Sequence, residues 1–282
     1  MHPLVDTAWL SREDAAGLRI VDVRWYLDPA RKGREAWRAG HIPGAAFVDV
    51  DLDLSAPGGG RGLAAGRHPW PAAQQVARVM GALGIGPGVR VVAYDDASGG
   101  VAARLWYLLR AYGHDEVAVL DGGFAKWQAE GRPVSSAAPT ITPVAFVARL
   151  RPGMLVSKAE LVASHRSRLV LDARVPERYR GEGEPVDPRA GHVPRAKNAP
   201  WTGNLTGDHV PVFLPPGKLR QRYESLGAGR ERPVVYCGSG VSACHDLLAL
   251  QLAGLDGLLY PGSWSEWSSD PALPAAIGDE PV

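Results

Sequence analysis

The chain has 282 residues, of which 45% are hydrophobic and 22% charged, and its formal net charge is +1. This composition is typical of a folded globular protein and argues against a disordered chain, and the near-zero charge argues against binding to a phosphate backbone. No apolar run reaches the roughly 20 residues of a membrane helix, and no secretory signal pattern opens the sequence, so we expect a cytoplasmic protein that binds neither nucleic acid nor membranes.

In chain order, the first half predicts short strands that alternate with helices. Asp6 in LVDTAWL (4–10) is placed to cap a helix, and the apolar runs IVDVR (20–24) and VVAYD (91–95) predict strands. A helical pattern follows in GVAARLWYLLRAYG (100–113). This alternation predicts an α/β fold, with a mostly parallel sheet covered by helices on both faces.

The second half of the sequence repeats the first. Matched segments recur in the same order about 140 to 150 positions later. The pairs are LVDTAWL with LVSKAEL (155–161), IVDVR with VLDAR (170–174), GHIPGA (40–45) with GHVPRA (191–196), VVAYD with VVYC (234–237), and LDGGFAKW (120–127) with YPGSWSEW (260–267). Ser157 takes the capping place of Asp6.

A tandem duplication explains these matches and predicts two domains. The expected bounds are 1–133 for the N-terminal domain, 134–154 for a linker rich in Pro, Ala and Thr, and 155–282 for the C-terminal domain.

Both cysteines lie in VVYCGSGVSAC (234–244), and Cys237 stands between an apolar run and two glycines. The run predicts a buried strand and the residues after the loop predict a helix, so Cys237 comes at the carboxyl end of a strand, where α/β sheets bind ligands. Gly238 and Gly240 let the loop turn sharply so that its amides can converge on an anion. We interpret Cys237 as a nucleophile rather than as a small core cysteine.

The motifs DAR, GHxPxA, YCGSGV and GSWSEW, in this order, resemble those of the two-domain rhodanese-type sulfurtransferases, and the resemblance covers nearly the whole chain. YCGSGVSAC looks like the active-site loop of the 3-mercaptopyruvate sulfurtransferase branch. The resemblance implies an inactive N-terminal domain, a catalytic C-terminal domain, an active site between them, and no metal or organic cofactor. It also implies that Cys237 accepts a sulfur as a persulfide and passes it to cyanide or a thiol, with a thioredoxin-like reductant as a further candidate partner.

The two halves differ in agreement with this asymmetry. Asp95 stands where the second half has Cys237, so the first half has no nucleophile at that position. The loop 237–242 has the six-residue length that the resemblance associates with sulfur chemistry, whereas phosphatase relatives carry one residue more and an arginine at the position of Ala243. A phosphatase or an arsenate reductase is therefore disfavoured.

The cysteine loop supplies most of the predicted site. The amides of Gly238, Ser239, Gly240 and Val241 are candidates to cradle the persulfide. Ser239 is a candidate to orient the substrate or relay a proton, with a solvated turn serine as the alternative. Ser242, at the first turn of the helix, is assigned to the same substrate-binding loop, with local capping as its alternative.

The predicted donor is 3-mercaptopyruvate, with thiosulfate as the alternative. The loop carries no basic residue, which disfavours the thiosulfate dianion, and the mercaptopyruvate carboxylate calls for an arginine fork. Arg178 matches the family's substrate arginine by its position six residues after Asp172, with a surface arginine as the alternative. The second arginine of the family has no clear match, and Arg189 and Arg195 are the candidates to replace it.

A histidine is the remaining catalytic candidate. The resemblance suggests a triad of serine, histidine and aspartate, and His41 with Asp28 or Glu35 is our candidate for its partners. His192 occupies the matching position of the second half, so a structural histidine of the repeat also explains both.

Three further residues keep alternatives open. Arg67 and His68, in GRHPWP, either line the cleft or belong to an exposed turn. Cys244 lies two helical turns from Cys237 and is expected in the core rather than as a resolving thiol.

The alternative function from another class is a sulfur carrier that serves a partner protein and turns over slowly.

Overall fold

A computed structural model of the chain describes residues 1–13, 16–60 and 62–279. The chain forms two compact units. The first comprises Met1–Leu54, Pro71–Arg151 and Thr206–Phe213, and the second comprises Ser55–Trp70, Pro152–Leu205 and Leu214–Val282. The unit that contains Cys237 therefore also contains a segment of the first half of the sequence. The predicted domain bounds stay a prediction.

The first unit is built on a sheet whose strands are all parallel in the described residues. These strands are β1 (Leu4–Val5), β2 (Leu18–Asp22), β3 (Ala46–Phe47), β4 (Arg90–Tyr94) and β5 (Val117–Leu120). They lie in the order β1-β5-β4-β2-β3, and the register places Ala93 between Val21 and Val119. β4 and β5 are buried on both faces along most of their length, which explains their nearly continuous apolar sequences.

Helices pack around this sheet. They are α1 (Thr7–Leu10), α2 (Gly33–Ala39), α3 (Ala73–Ala82), α4 (Ala102–Ala111) and α5 (Gly123–Ala129). The Asp6 side chain caps α1 by accepting a hydrogen bond from the backbone N–H of Trp9 at 2.6 Å, which confirms the predicted cap. α4 is buried at almost every position, as its apolar sequence indicates.

The second unit repeats this topology. Its strands are β6 (Val170–Asp172), β7 (Lys197–Asn198), β8 (Val234–Tyr236) and β9 (Leu258–Leu259). In the described part of the unit they form a parallel sheet in the order β7-β6-β8-β9. A parallel bridge between Leu155 and Leu259 occupies the place that β1 has beside β5. The α/β class and the duplicated parallel sheets are therefore as predicted.

The helices of the second unit follow the same order along the chain. They are α6 (Lys158–Ser164), α7 (Pro176–Arg180), α8 (Pro216–Leu226), α9 (Ala243–Leu252) and α10 (Ser263–Ser268), together with a 3₁₀-helix at Trp201–Asn204. Ser157 and Glu160 form a capping box at the start of α6, which confirms the second predicted cap. Within the described ranges, no helix is long and apolar enough to cross a bilayer.

Each sheet carries the same buried ion pair. Asp22 accepts hydrogen bonds from Arg24 Nε at 2.9 Å and Nη2 at 2.6 Å, and Asp172 accepts the corresponding bonds from Arg174 at 3.1 and 2.6 Å. Each arginine also donates to a backbone carbonyl. Such a pair needs these satisfied hydrogen bonds because unpaired buried charges are costly. Its recurrence in the unit without a nucleophile indicates a structural role for the DAR motif.

Candidate active site

Cys237 lies directly after β8, at the carboxyl end of the strand, in the loop that leads to α9. Its backbone N–H donates to Ser263 Oγ at 3.1 Å, and its carbonyl accepts from the N–H of Trp264 at 2.9 Å. The residue is buried, with 2% of its surface exposed. The strand, loop and helix thus occupy the predicted positions, and the GSWSEW motif fixes the first residue of the loop.

The matching loop of the first unit shows what this backbone arrangement can bind. There the Asp95 carboxylate accepts hydrogen bonds from the N–H groups of Ala97 (2.8 Å), Gly99 (2.9 Å), Val101 (2.7 Å) and Ala102 (2.7 Å). The loop between the strand and the helix is therefore an anion-binding nest that holds its own aspartate. In the second unit, Cys237 occupies the position of that aspartate.

Ser239, two residues into the cysteine loop, contacts a histidine from a distant part of the sequence. The Ser239 hydroxyl lies 2.7 Å from His68 Nδ1, and both residues are buried, at 5% and 4% exposure. A buried serine in contact with a histidine can pass a proton to or from the imidazole. This buried environment does not fit the alternative for Ser239, a solvated turn serine.

Two arginines lie against the cysteine loop at Gly238. A Cβ atom built on Gly238 would lie 2.6 Å from Arg67 Nη2 and 3.3 Å from Arg178 Nη1. Both side chains are mostly buried, with exposures of 12% and 17%. Glycine at this position is what allows both guanidinium groups to approach the backbone next to Cys237.

Acidic residues hold these arginines from the other side. Asp187 accepts a hydrogen bond from Arg67 Nη1 and another from Arg178 Nη2 at 2.9 Å. Glu184 accepts from Arg178 Nη2 at 2.7 Å and from Arg178 Nε at 3.1 Å, and it also pairs with Arg174. The arginines are therefore fixed in position before any substrate binds.

His41, the predicted catalytic histidine, lies in the first unit and is fully buried. Its Nδ1 is 2.7 Å from the carbonyl oxygen of Trp37, its Nε2 is 3.2 Å from that of Ala137, and its ring stacks on the Trp37 indole at a centroid distance of 4.7 Å. With both nitrogens facing backbone carbonyls, the ring joins two segments of chain and has no nitrogen left for a substrate. His192 similarly stacks on Tyr179 at 3.8 Å, so the structure favours the structural role that the repeat suggested.

Arg189 also has structural contacts. Its guanidinium donates to backbone carbonyls that surround the end of α10, those of Trp267, Ser268, Asp270 and Leu273. A cation at the C-terminus of a helix satisfies the carbonyls left unpaired there. These bonds leave the guanidinium engaged by the backbone and give no support to a substrate-binding role.

The remaining loop residues have simpler roles. Gly240 has φ 74°, the left-handed conformation that favours glycine, and Val241 is buried. Ser242 is the N-cap residue of α9, without a side-chain capping bond. Cys244 is buried in α9 and its Sγ contacts the carbonyl oxygen of Gly240 at 3.4 Å, so it lies within the packed interior, as expected.

The neighbouring residues Arg67 and His68 are the part of the candidate site that the sequence did not select. The GRHPWP motif offered both residues either as cleft residues or as an exposed turn, and only the packing of residues 55–70 into the second unit decides between them. Gly66, with φ 77°, permits this approach, because a Cβ there would lie 2.9 Å from Ser265 Oγ. Among the described residues, no group of three or more His, Cys, Asp or Glu side chains is arranged to hold a metal ion.

Comparison with known proteins agrees with this architecture. A family model described as "Rhodanese-like domain" matches residues 6–130 and 157–270. The Pseudomonas aeruginosa protein named "Probable 3-mercaptopyruvate sulfurtransferase" is 44% identical over 268 residues, which cover 93% of each chain. The thiosulfate sulfurtransferase of Bos taurus is 33% identical over 280 residues, covering 94% of this chain and 91% of that protein.

A solved structure shows the same relationship. SseA from Escherichia coli, described as a 3-mercaptopyruvate sulfotransferase with the rhodanese fold, superposes with a TM-score of 0.81 at 30% identity, covering 94% of this chain and 100% of that one. The matches extend over both halves, as do the duplicated sheets. The chain therefore belongs to the rhodanese-like family, with two copies of the domain, and it is a sulfurtransferase.

Proposed function

We propose that this sulfurtransferase takes sulfur from 3-mercaptopyruvate and passes it, through a persulfide on Cys237, to a thiophilic acceptor such as cyanide or a thiol. The observation that carries the proposal is the group of side chains beside the nucleophile. Arg67 and Arg178 face the loop at Gly238, and the Ser239 hydroxyl contacts His68. Together they offer a carboxylate site and a proton relay next to one thiol.

In the first half-reaction, the Cys237 thiolate attacks the sulfur of mercaptopyruvate. The new S–S bond forms as the C–S bond breaks, and the electron pair of that bond goes to C3, giving the enolate of pyruvate. A proton is then needed at C3 to form pyruvate. In this proposal Ser239 delivers it and the imidazole of His68 restores the serine proton, which the 2.7 Å contact between Ser239 Oγ and His68 Nδ1 supports.

In the second half-reaction, the acceptor attacks the outer sulfur of the persulfide. With cyanide, a C–S bond forms, the S–S bond breaks, thiocyanate leaves and Cys237 returns as thiolate. With a thiol acceptor, the product is a persulfide of that thiol, which a thioredoxin-like dithiol can reduce. We place the enzyme in the cytoplasm, because a thiol nucleophile needs a reducing compartment to stay reduced.

We assign Arg67 as the second substrate arginine. A carboxylate accepts two parallel bonds best from an arginine fork, and two guanidinium groups at Gly238 can hold both the carboxylate and the ketone oxygen of mercaptopyruvate. Neither Arg189 nor Arg195 is needed for this role. The buried carboxylates of Asp187 and Glu184 reduce the positive charge of the site, which favours a monoanionic donor over thiosulfate.

The test compares sulfur transfer to cyanide from mercaptopyruvate and from thiosulfate, in wild type, Cys237→Ser and Ser239→Ala. We expect a higher kcat/KM with mercaptopyruvate and no activity in Cys237→Ser with either donor. Ser239→Ala should lower kcat/KM with mercaptopyruvate by about 100-fold, since a general acid contributes roughly 10²–10⁴. It should lower the thiosulfate reaction far less, because sulfite leaves without needing a proton.

Three results would contradict the proposal. A preference of the wild type for thiosulfate would replace the donor, and equal losses with both donors in Ser239→Ala would remove the proton relay. Single turnover without steady-state activity would instead indicate a sulfur carrier for a partner protein.

A further inference from the structure

Asp187 lies behind the two guanidinium groups that face the cysteine loop. Its Oδ1 accepts from Arg67 Nη1, and its Oδ2 accepts from Arg178 Nη2 at 2.9 Å. The opposite terminal nitrogens, Arg67 Nη2 and Arg178 Nη1, are those nearest to Gly238. Among the described residues, these two nitrogens have no hydrogen-bond partner, so each arginine has one edge bound to Asp187 and the other edge open toward the loop.

The side chain of Asp187 is completely buried, so water screens its charge only in part. Asp187 belongs to a cluster that contains equal numbers of guanidinium groups and carboxylates. Its members are Arg67, Arg174 and Arg178 on one side and Asp172, Glu184 and Asp187 on the other. The cluster therefore offers hydrogen-bond donors to an anion without offering it a net positive charge.

We infer that Asp187 determines the charge preference of the donor site. Its carboxylate repels any anion bound at the open edges of Arg67 and Arg178, and it repels a dianion such as thiosulfate more strongly than a monoanion such as mercaptopyruvate. The inference rests on the proposed function, because it assigns the same guanidinium edges to the donor.

The expected size of the effect follows from Coulomb's law. An anion at the open edges lies about 6 Å from the Asp187 carboxylate, and at an effective dielectric constant of about 40 the repulsion is worth roughly tenfold in affinity for each donor charge. Removing the Asp187 charge should therefore shift the ratio of thiosulfate to mercaptopyruvate binding by about tenfold toward thiosulfate.

The first experiment measures KM for both donors in Asp187→Asn, which keeps the shape of the side chain and one carbonyl acceptor. KM should fall for both donors and fall about tenfold more for thiosulfate. Asp187→Glu retains the charge and should keep the wild-type ratio. Glu182→Gln removes a charge from an exposed side chain of the same segment and should leave both KM values unchanged.

A second readout does not require turnover. Alkylation of Cys237 by iodoacetamide, which is uncharged, is measured with increasing sulfate or pyruvate as the unreactive dianion and monoanion. Asp187→Asn should be protected at lower concentrations than wild type, with the larger change for sulfate. If neither donor turns over in wild type but this shift is seen, the proposed function fails while the inference on Asp187 stands.

Two outcomes overturn the inference. An increase in KM for both donors, with weaker protection in the alkylation assay, would show that Asp187 mainly orients the arginines. An unchanged donor ratio and unchanged protection would show that bound anions do not sense its charge.

Discussion

At the scale of single residues, Cys237 is hydrogen-bonded by a serine whose backbone conformation is one that serine rarely adopts. Ser263 has φ 54° and is fully buried, and its hydroxyl accepts the N–H of Cys237 at 3.1 Å while donating to the carbonyl of Tyr260 at 3.0 Å. The matching residue of the first unit is Gly123, with φ 55°. A non-glycine residue pays about 1–2 kcal/mol for this conformation, so the serine beside the nucleophile indicates a positioning role.

Ser263→Gly should separate activity from stability. Glycine keeps the backbone conformation without strain but removes the acceptor of the Cys237 N–H, so we expect kcat/KM to fall about tenfold, a loss of roughly 1.4 kcal/mol in transition-state stabilisation. The free energy of unfolding should change by less than about 1 kcal/mol, because relief of strain offsets the lost hydrogen bonds. Sulfur-transfer kinetics and urea denaturation measure the two quantities.

The matched variant is Ser263→Ala, which keeps the strain and loses the hydroxyl. It should reduce both activity and stability. Full activity in Ser263→Gly would show that the hydroxyl has no part in positioning Cys237.

At the scale of elements, both units have a loop between a central strand and the following helix, and each loop begins with the residue that follows the strand. In the first unit the β4–α4 loop closes its amides around Asp95, and in the second the β8–α9 loop presents Cys237. An element that binds a carboxylate in one unit is suited to hold the thiolate or persulfide sulfur in the other. We therefore propose that the duplicated loop fills itself with Asp95 in the first unit and serves the reactive Cys237 in the second.

Asp95→Asn tests the self-filled nest. An asparagine offers one carbonyl oxygen and turns an NH₂ group toward amides that also donate, so about two of the buried N–H groups lose their acceptor. Each such loss costs about 1–3 kcal/mol, and we expect a loss of stability of about 2–6 kcal/mol in urea denaturation.

Asp96→Asn is the neighbouring control. Asp96 is partly exposed and bonds the Tyr26 hydroxyl, so its variant should lose less than about 1 kcal/mol. Equal stability of Asp95→Asn and wild type would show that the nest does not need a carboxylate.

At the scale of the whole molecule, the unit that contains Cys237 is not made from one half of the sequence. Residues 55–70 belong to the same compact unit as Cys237 and bring Arg67 to Gly238 and His68 to Ser239. A chain that kept only the second half would retain the nucleophile but would lose one arginine and the histidine. The surroundings of Cys237 are therefore built from both halves of the sequence.

The stability of the molecule should depend on pH through a buried acid of α9. Burial raises the pKa of Asp246 to about 7, and its Oδ1 accepts from Asn204 Nδ2 at 2.7 Å. In the unfolded chain an aspartate has a pKa of about 3.9. Between pH 4 and pH 7 the folded state therefore binds more protons than the unfolded state. Protonated Asp246 therefore adds to the free energy of unfolding in full below about pH 4. This addition decreases as the pH rises to about 7 and is absent above that.

Asp246→Asn removes this titration. The free energy of unfolding of the wild type, relative to the variant, should fall by on the order of 4 kcal/mol between pH 4 and pH 8, as measured by urea denaturation at each pH. Asp256→Asn changes an exposed carboxylate and should show no such dependence. A constant difference between wild type and Asp246→Asn at both pH values would contradict the assignment.

The sequence by itself determined the duplication, the α/β class, the helix caps at Asp6 and Ser157 and the placement of Cys237 after a strand. These features follow from local hydrophobic patterns and from the comparison of one half with the other. It also led to His41 and Arg189 as site residues, because a buried structural histidine or arginine has the same sequence appearance as a reactive one.

Only the tertiary structure decided which basic residues join the cysteine. His68 and Ser239 are 171 positions apart, and Arg67 and Asp187 are 120 positions apart. The segment 55–70, which carries Arg67 and His68, has no periodic sequence pattern that would predict where it packs. The backbone carbonyls that occupy His41 and Arg189 are likewise invisible in a sequence. Local physics therefore sets the strands, the caps and the position of Cys237 after a strand, while long-range packing selects the proposed proton relay and the proposed anion site.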